Sequence, residues 1–215
     1  MASNWDDLNA RGISAIVMVI VGAFDVYMGG IWFHFLVMFA TGVMIWELWS
    51  MIAPSRTTGA MLMAVATVAI LSVQIEEQNE ILPFLFLIIP AIGAVLLKKL
   101  RIAFFFYALA IIVAGFALVM FRDQFGALWI VWLLLVVIAS DVLGYFAGRT
   151  FGGPKFWPAI SPKKTWSGTV AGWIGAGIVG LVFALFTEAS MILVPLSMLL
   201  SFAGQLGDIA ESAIK

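Results

Sequence analysis

Eight apolar stretches, each about as long as a bilayer-crossing helix, leave this chain few ways to fold. They lie at about 13–28, 31–52, 59–75, 81–97, 102–121, 125–147, 168–187 and 190–212. A helix needs ~20 apolar residues to cross ~30 Å of hydrocarbon. The first stretch is short, and the last turns polar in its second half. The 215 residues are 64% hydrophobic and 11% charged, whereas a soluble domain is nearer half apolar and a quarter charged. These features predict an all-α polytopic membrane protein of about eight transmembrane helices, with residues 1–215 forming one transmembrane domain. The start, MASNWDDLNARG, is polar and acidic. No convincing small-residue cleavage site follows the first apolar run, so that run is expected to be retained rather than removed as a signal peptide.

Charge sets the expected orientation. With a cytoplasmic N-terminus, the inside segments carry Arg11, Arg56, Lys98, Lys99, Arg101, Arg149, Lys155, Lys163, Lys164 and Lys215, and the outside loops only Arg122. The outside loops hold Glu76, Glu77, Glu80, Asp123 and Glu188 instead. This follows the positive-inside rule with one exception. It also supports the helix count, because a missed helix would scramble the alternation. The chain has no cysteine and one histidine. Disulfides, thiolate metal sites and cysteine nucleophiles are therefore excluded, and any metal must rely on oxygen ligands, as Mg²⁺ does. A net charge of −1 argues against nucleic acid as a partner.

The stretch from Ser140 to Gly168 is hard to explain as packing. Asp141 follows the apolar run Leu128–Ala139, where a carboxylate costs roughly 2.5–3.5 kcal/mol on insertion scales. Gly144, Tyr145 and Gly148 share its helix face at i+3, i+4 and i+7, so a ligand or another helix can approach closely. A buried aspartate capped by neighbouring donors is the plain alternative; metal ligation is favoured because intramembrane acids mark function. Beyond it, Arg149, Lys155, Lys163 and Lys164 crowd into one basic connection. Pro162 fixes a turn there, and Thr165 or Ser167 can cap the next helix. A helix start beside two lysines suits a phosphate, although an ordinary positive-inside loop has the same charge.

The last stretch draws a second polar line. Ser201, Gln205, Asp208, Ser212 and Lys215 recur at helical spacing with Glu211 at the border. An amphipathic helix lying on the membrane has this pattern, but the run Met191–Leu200 is apolar all round. The helix is therefore expected to dive and turn its stripe inward, bringing Asp208 to a depth comparable with Asp141. Gly175–Gly180 matches G-x-G-x-x-G, yet no strand precedes it, so it is not a cofactor motif. Gly168, Gly172, Ala176 and Gly180 read instead as a small-residue packing face. His34 is expected to be hydrogen-bonded structure, Asp25 to reach water, and Glu47 to snorkel or join the polar interior.

Asp141-x-x-x-Tyr145-x-x-Gly148-Arg149, Ser161-Pro-Lys-Lys-Thr-Trp166 and Ser201-x-x-x-Gln205-x-Gly207-Asp208-x-x-Glu211-Ser212-x-x-Lys215 together resemble the phosphatidate cytidylyltransferase (CDP-diacylglycerol synthase) family. The resemblance covers essentially the whole chain, including the Trp46-Glu47-Leu48 end of the second helix. It implies transfer of a cytidylyl group from CTP to phosphatidic acid, with release of pyrophosphate. Asp141 and Asp208 are then Mg²⁺ ligands, and Lys163 and Lys164 catalytic contacts to phosphate. Arg149, Ser161, Thr165, Gln205, Glu211 and Lys215 become substrate-binding. The implied partners are CTP, phosphatidic acid, the bilayer and a second copy of the chain. The implied setting is the bacterial inner membrane, with the site facing the cytoplasm.

Two departures accompany the resemblance. Ser167 stands where the family commonly has an acidic residue. The family pattern also continues past Lys215 with Lys-Asp-Ser, Pro-Gly-His-Gly-Gly and Asp-Arg-x-Asp, which this sequence lacks, so a C-terminally truncated chain is expected. A CTP-dependent lipid kinase or another lipid-phosphate cytidylyltransferase is the nearest alternative. An ion-coupled transporter using Asp141 and Asp208 is the alternative of another class, although no inverted repeat of broken helices is visible.

Overall fold

A computed structural model describes residues 4–77, 82–187 and 189–214. Among them are eight α-helices: α1 (Asn4–Met28), α2 (Gly30–Ile52), α3 (Thr57–Glu77), α4 (Ile88–Leu96), α5 (Arg101–Phe125), α6 (Ala127–Phe151), α7 (Trp166–Phe186) and α8 (Leu193–Ile214). The protein is an all-α polytopic membrane protein, as its apolar stretches predict. Six helices (α2, α3, α5, α6, α7 and α8) are long and apolar enough to cross a membrane, and Ile16–Met28 and Phe84–Leu96 are shorter apolar helices. The 81–97 stretch is not one continuous α-helix. Pro83 and Pro90 each lack a backbone donor, and the segment opens with a 3₁₀ helix, Leu82–Leu87, before the nine residues of α4.

The basic connection after α6 also differs from an irregular loop. It holds a two-stranded antiparallel sheet of β1 (Lys155–Trp157) and β2 (Ser161–Thr165), with Lys155 opposite Thr165 and Trp157 opposite Ser161. The strands are short and bounded by prolines, which hides any two-residue period. Gly152 and Gly153, at φ 58° and 96°, turn the chain out of α6 into this hairpin.

Contacts group the chain into two compact units, Met1–Ala127 and Leu128–Lys215. In the first, α2 packs against α3 and α5 through small residues. Gly42 meets Val68 and the Ala64 carbonyl, and Gly115 meets the Thr41 side chain. Lipid supplies no hydrophobic drive for helix association, so close backbone approach carries the packing. Trp49 and Phe104 are fully buried in an edge-to-face pair at 5.6 Å.

Arg122, the exception to the charge rule, has a structural use in this unit. Its Nε and Nη2 donate to the Val26 carbonyl at 3.0 and 2.9 Å, and Nη2 reaches the Tyr27 carbonyl at 3.4 Å. A guanidinium there satisfies orphan carbonyls and meets the negative end of the α1 dipole. Gly29 makes room, since a Cβ at its φ of 63° would sit 2.5 Å from Arg122 Nη2. His34 Nε2 lies 2.8 Å from Asp123 Oδ2, in line with the structural role expected of it. Asp25, expected to reach water, is buried at 7% exposure, and Glu47 is exposed.

In the second unit α7 is the central element. Gly168, Gly172 and Gly175 press against Gly144, Ser140 and Leu143 of α6, and Gly177 and Gly180 against Met198, Leu193 and Ser197 of α8. The predicted small-residue face is thus buried, and glycines 175 and 177 extend it to both neighbours. Hydrogen bonds add to this packing: Trp132 Nε1 donates to Ser197 Oγ at 3.2 Å, and Ser140 and Ser201 hydroxyls pair at 2.6 Å.

Candidate active site

A cavity of about 620 Å³ opens in the second unit where α6, β2, α7 and α8 meet. Each wall follows from local sequence. On α6, Asp141 shares a face with Gly144, Tyr145 and Gly148, all of which line the cavity. The glycines serve two ends, since they also let α7 approach: a Cβ on Gly168 would lie 2.6 Å from the Gly144 carbonyl. On β2, Lys163 and Lys164 precede Thr165, which caps α7 by accepting from the Gly168 amide at 3.3 Å. On α8, Gln205 and Asp208 complete the wall.

Eight of the ten residues expected at a site therefore line one cavity: Asp141, Arg149, Ser161, Lys163, Lys164, Thr165, Gln205 and Asp208. Glu211 does not line it and is exposed. At 100° per residue it lies about 120° around α8 from Gln205. Lys215 lies outside the described residues. Ser140 and Thr169, which no motif or spacing marks as site residues, also line the cavity. Their one signal was adjacency, Ser140 preceding Asp141 and Thr169 following Gly168.

The charges are already partly engaged. Lys164 Nζ bridges Asp208 Oδ2 at 3.1 Å and the Gln205 carbonyl at 2.9 Å, which fixes the hairpin to α8. Asp141 lies within electrostatic range of both Asp208 and Lys164. Arg149 Nη1 donates to the Tyr145 hydroxyl at 2.7 Å. Ser167, which departs from the acidic residue common in the resembled pattern, donates to the Gly152 carbonyl at 2.5 Å and pairs with Thr165 Oγ1 at 3.1 Å. It thereby ties the turn that leaves α6 to the start of α7.

Gln205 is 7% exposed. Its Nε2 donates to the Thr169 carbonyl at 3.2 Å, while its Oε1 and the Thr169 hydroxyl have no hydrogen-bond partner among the described residues. Buried polar atoms without partners are costly, and two on one cavity wall suit a ligand that supplies the missing bonds. For a metal, the cavity offers hard oxygen donors in the carboxylates of Asp141 and Asp208. Among the described residues no group of three or more His, Cys, Asp or Glu could hold an ion. Mg²⁺ needs no such group, since one or two carboxylates can hold it together with water and substrate phosphates.

The class of protein is thus a helical membrane protein whose second unit holds a cavity lined by both carboxylates and basic side chains. Residues 9–215 match the model of the cytidylyltransferase family, and the chain belongs to that family. It is 30% identical to a protein named phosphatidate cytidylyltransferase from Brucella abortus, over 97% of this chain and 80% of that protein. Proteins of the same name from Staphylococcus saprophyticus and Bacillus subtilis are 38% and 36% identical, over 53% and 43% of this chain and 45% and 36% of their own lengths.

Proposed function

We propose that this chain transfers the cytidylyl group of CTP to phosphatidic acid, giving CDP-diacylglycerol and pyrophosphate. Family membership supports the reaction class. The observation that carries the site assignment is the convergence of Asp141, Asp208, Lys163 and Lys164 on one cavity. In the reaction, an oxygen of the lipid phosphate forms a bond to the α-phosphorus of CTP. The bond from that phosphorus to the β-phosphate oxygen breaks, and pyrophosphate leaves with its electron pair.

Both reactants are anionic, so the chain's first task is to hold them together against repulsion. Lys163, Lys164 and Arg149 supply fixed positive charge for the phosphates. Arg149 is oriented by Tyr145, and Lys164 by Asp208 and the Gln205 carbonyl. Thr165 orders the start of α7 through its cap. The unpaired Gln205 Oε1 and Thr169 hydroxyl receive a ligand group on the inner wall. Asp141 and Asp208 would hold Mg²⁺, which when bound offsets phosphate charge during displacement. Exposed apolar side chains on α6, among them Leu143 and Phe146, leave acyl chains in the bilayer while the head group enters the cavity.

The proposal places the cavity on the cytoplasmic side of a bacterial inner membrane, where CTP is available; the excess of lysine and arginine on that side supports this. It includes a homodimer, for which light scattering in detergent should give a protein mass twice the 23.4 kDa of the chain. The reaction itself is tested by CTP-dependent pyrophosphate release from phosphatidic acid, with and without Mg²⁺. Asp141→Asn and Asp208→Asn should each lower kcat by at least about a hundredfold without changing elution volume. Retained activity in both variants would remove the carboxylates from the mechanism. A phosphorylated polyprenol in place of a CDP-lipid would replace the reaction with that of a lipid kinase.

A further inference from the structure

The first unit carries a separate basic corner that cytidylyl transfer does not use. The α2–α3 and α4–α5 turns meet around a cavity of about 290 Å³, lined by Pro54, Ser55, Arg56, Leu97, Lys98 and Lys99 among others. Arg56 Nη1 ties the two turns together by donating to the Leu96 carbonyl at 3.0 Å. Lys98, Lys99 and Arg101 are exposed. Among the described residues, none of the three forms an ion pair with a carboxylate. Positive charge is thus concentrated at this corner with no paired carboxylate among the described residues.

A second observation comes from the same α4–α5 turn. A groove of about 380 Å³ is lined by Ala94 and Val95 of α4 and by Ile102, Phe105 and Phe106 of α5, with Arg101 its single charged residue. Leu100, between the lysines and Arg101, has φ 50°, a left-handed backbone that residues with a Cβ seldom adopt. The turn is therefore held in a disfavoured shape that starts α5 at Arg101.

We propose that this corner binds an anionic phospholipid, its phosphate on Lys98, Lys99 and Arg101 and an acyl chain along the Val95–Phe106 groove. Basic pockets between transmembrane helices recognise lipid head groups through this combination of charge and depth. A free phosphate would satisfy the cations but leave the adjoining apolar groove without a purpose. The site draws only on the first unit and does not depend on the catalytic assignment.

The test is native mass spectrometry of the purified chain in nonionic detergent, titrated with phosphatidylglycerol or phosphatidylcholine. Phosphatidylglycerol should bind in preference, and millimolar inorganic phosphate should not displace it. The double variant Lys98→Gln/Lys99→Gln should lose about tenfold or more in apparent affinity, each basic residue being worth roughly fivefold. Lys155→Gln, on β1, should bind as the unaltered chain does. An anionic phospholipid with a diazirine in its acyl chain should cross-link within residues 94–106 of the unaltered chain, which decides the matter if the variant misfolds. Equal binding of the two lipids, undiminished binding by the double variant, or cross-links confined elsewhere would overturn the proposal. Displacement by inorganic phosphate without cross-linking in the groove would make this a phosphate site instead.

Discussion

Gln205 is engaged at only one end of its side chain among the described residues. Its amide nitrogen ties α8 to α7 through the Thr169 carbonyl, while its oxygen is left buried and unpaired. Gln205→Leu removes both the bond and the orphan acceptor, so stability should change by less than about 1.5 kcal/mol. If the oxygen faces substrate or metal, kcat/KM for CTP should fall about 10- to 100-fold; an unchanged value would reduce Gln205 to a packing residue. Arg122 is the opposite case, a charge with a structural task. Arg122→Gln should cost about 1.5–3 kcal/mol, because charged donors to the α1 carbonyls are lost. That cost should appear in thermal melts while kcat at low temperature stays close to its original value.

At the level of elements, α7 holds the cavity together by being thin. Gly168→Ala would place a Cβ 2.6 Å from the Gly144 carbonyl, so α6 and α7 must separate. Overpacking of this kind costs about 1–3 kcal/mol, and it should also lower activity because Asp141 and Lys164 sit on the two sides of that contact. Gly204→Ala on α8 meets nothing within 4 Å and is the matched control, expected to melt no lower than the unaltered chain. Equal effects of the two substitutions would show that close approach of α6 and α7 is not what shapes the site. The hairpin matters for the same reason: Thr165 anchors it to α7 and Lys164 anchors it to α8, while Ser167 ties the turn that leaves α6 to the start of α7.

For the whole molecule, the charge alternation predicts which ends of the helices face the cytoplasm. The chain has no cysteine, so single introduced cysteines can be read without background. Ser55→Cys should react with an impermeant maleimide only in inverted vesicles, and Gln124→Cys only in intact cells or right-side-out vesicles. The reverse pattern would invert the assigned orientation. Apolar length alone determined that this chain is a bundle of membrane helices. Helical spacing placed Asp141 with Gly144 and Gly148, and Gln205 with Asp208, because positions along one helix are fixed by its own period. What spacing cannot fix is the partner across a gap between helices. Only the tertiary structure decided that Lys164 reaches Asp208, that Ser140 and Thr169 join the wall while Glu211 does not, and that Ser167 closes on Gly152. It alone also gave Arg122 its carbonyls and folded the basic connection into a hairpin. These features depend on how closely glycine-lined backbones approach and how far each helix is rotated about its axis, and both are set by packing between segments distant in sequence.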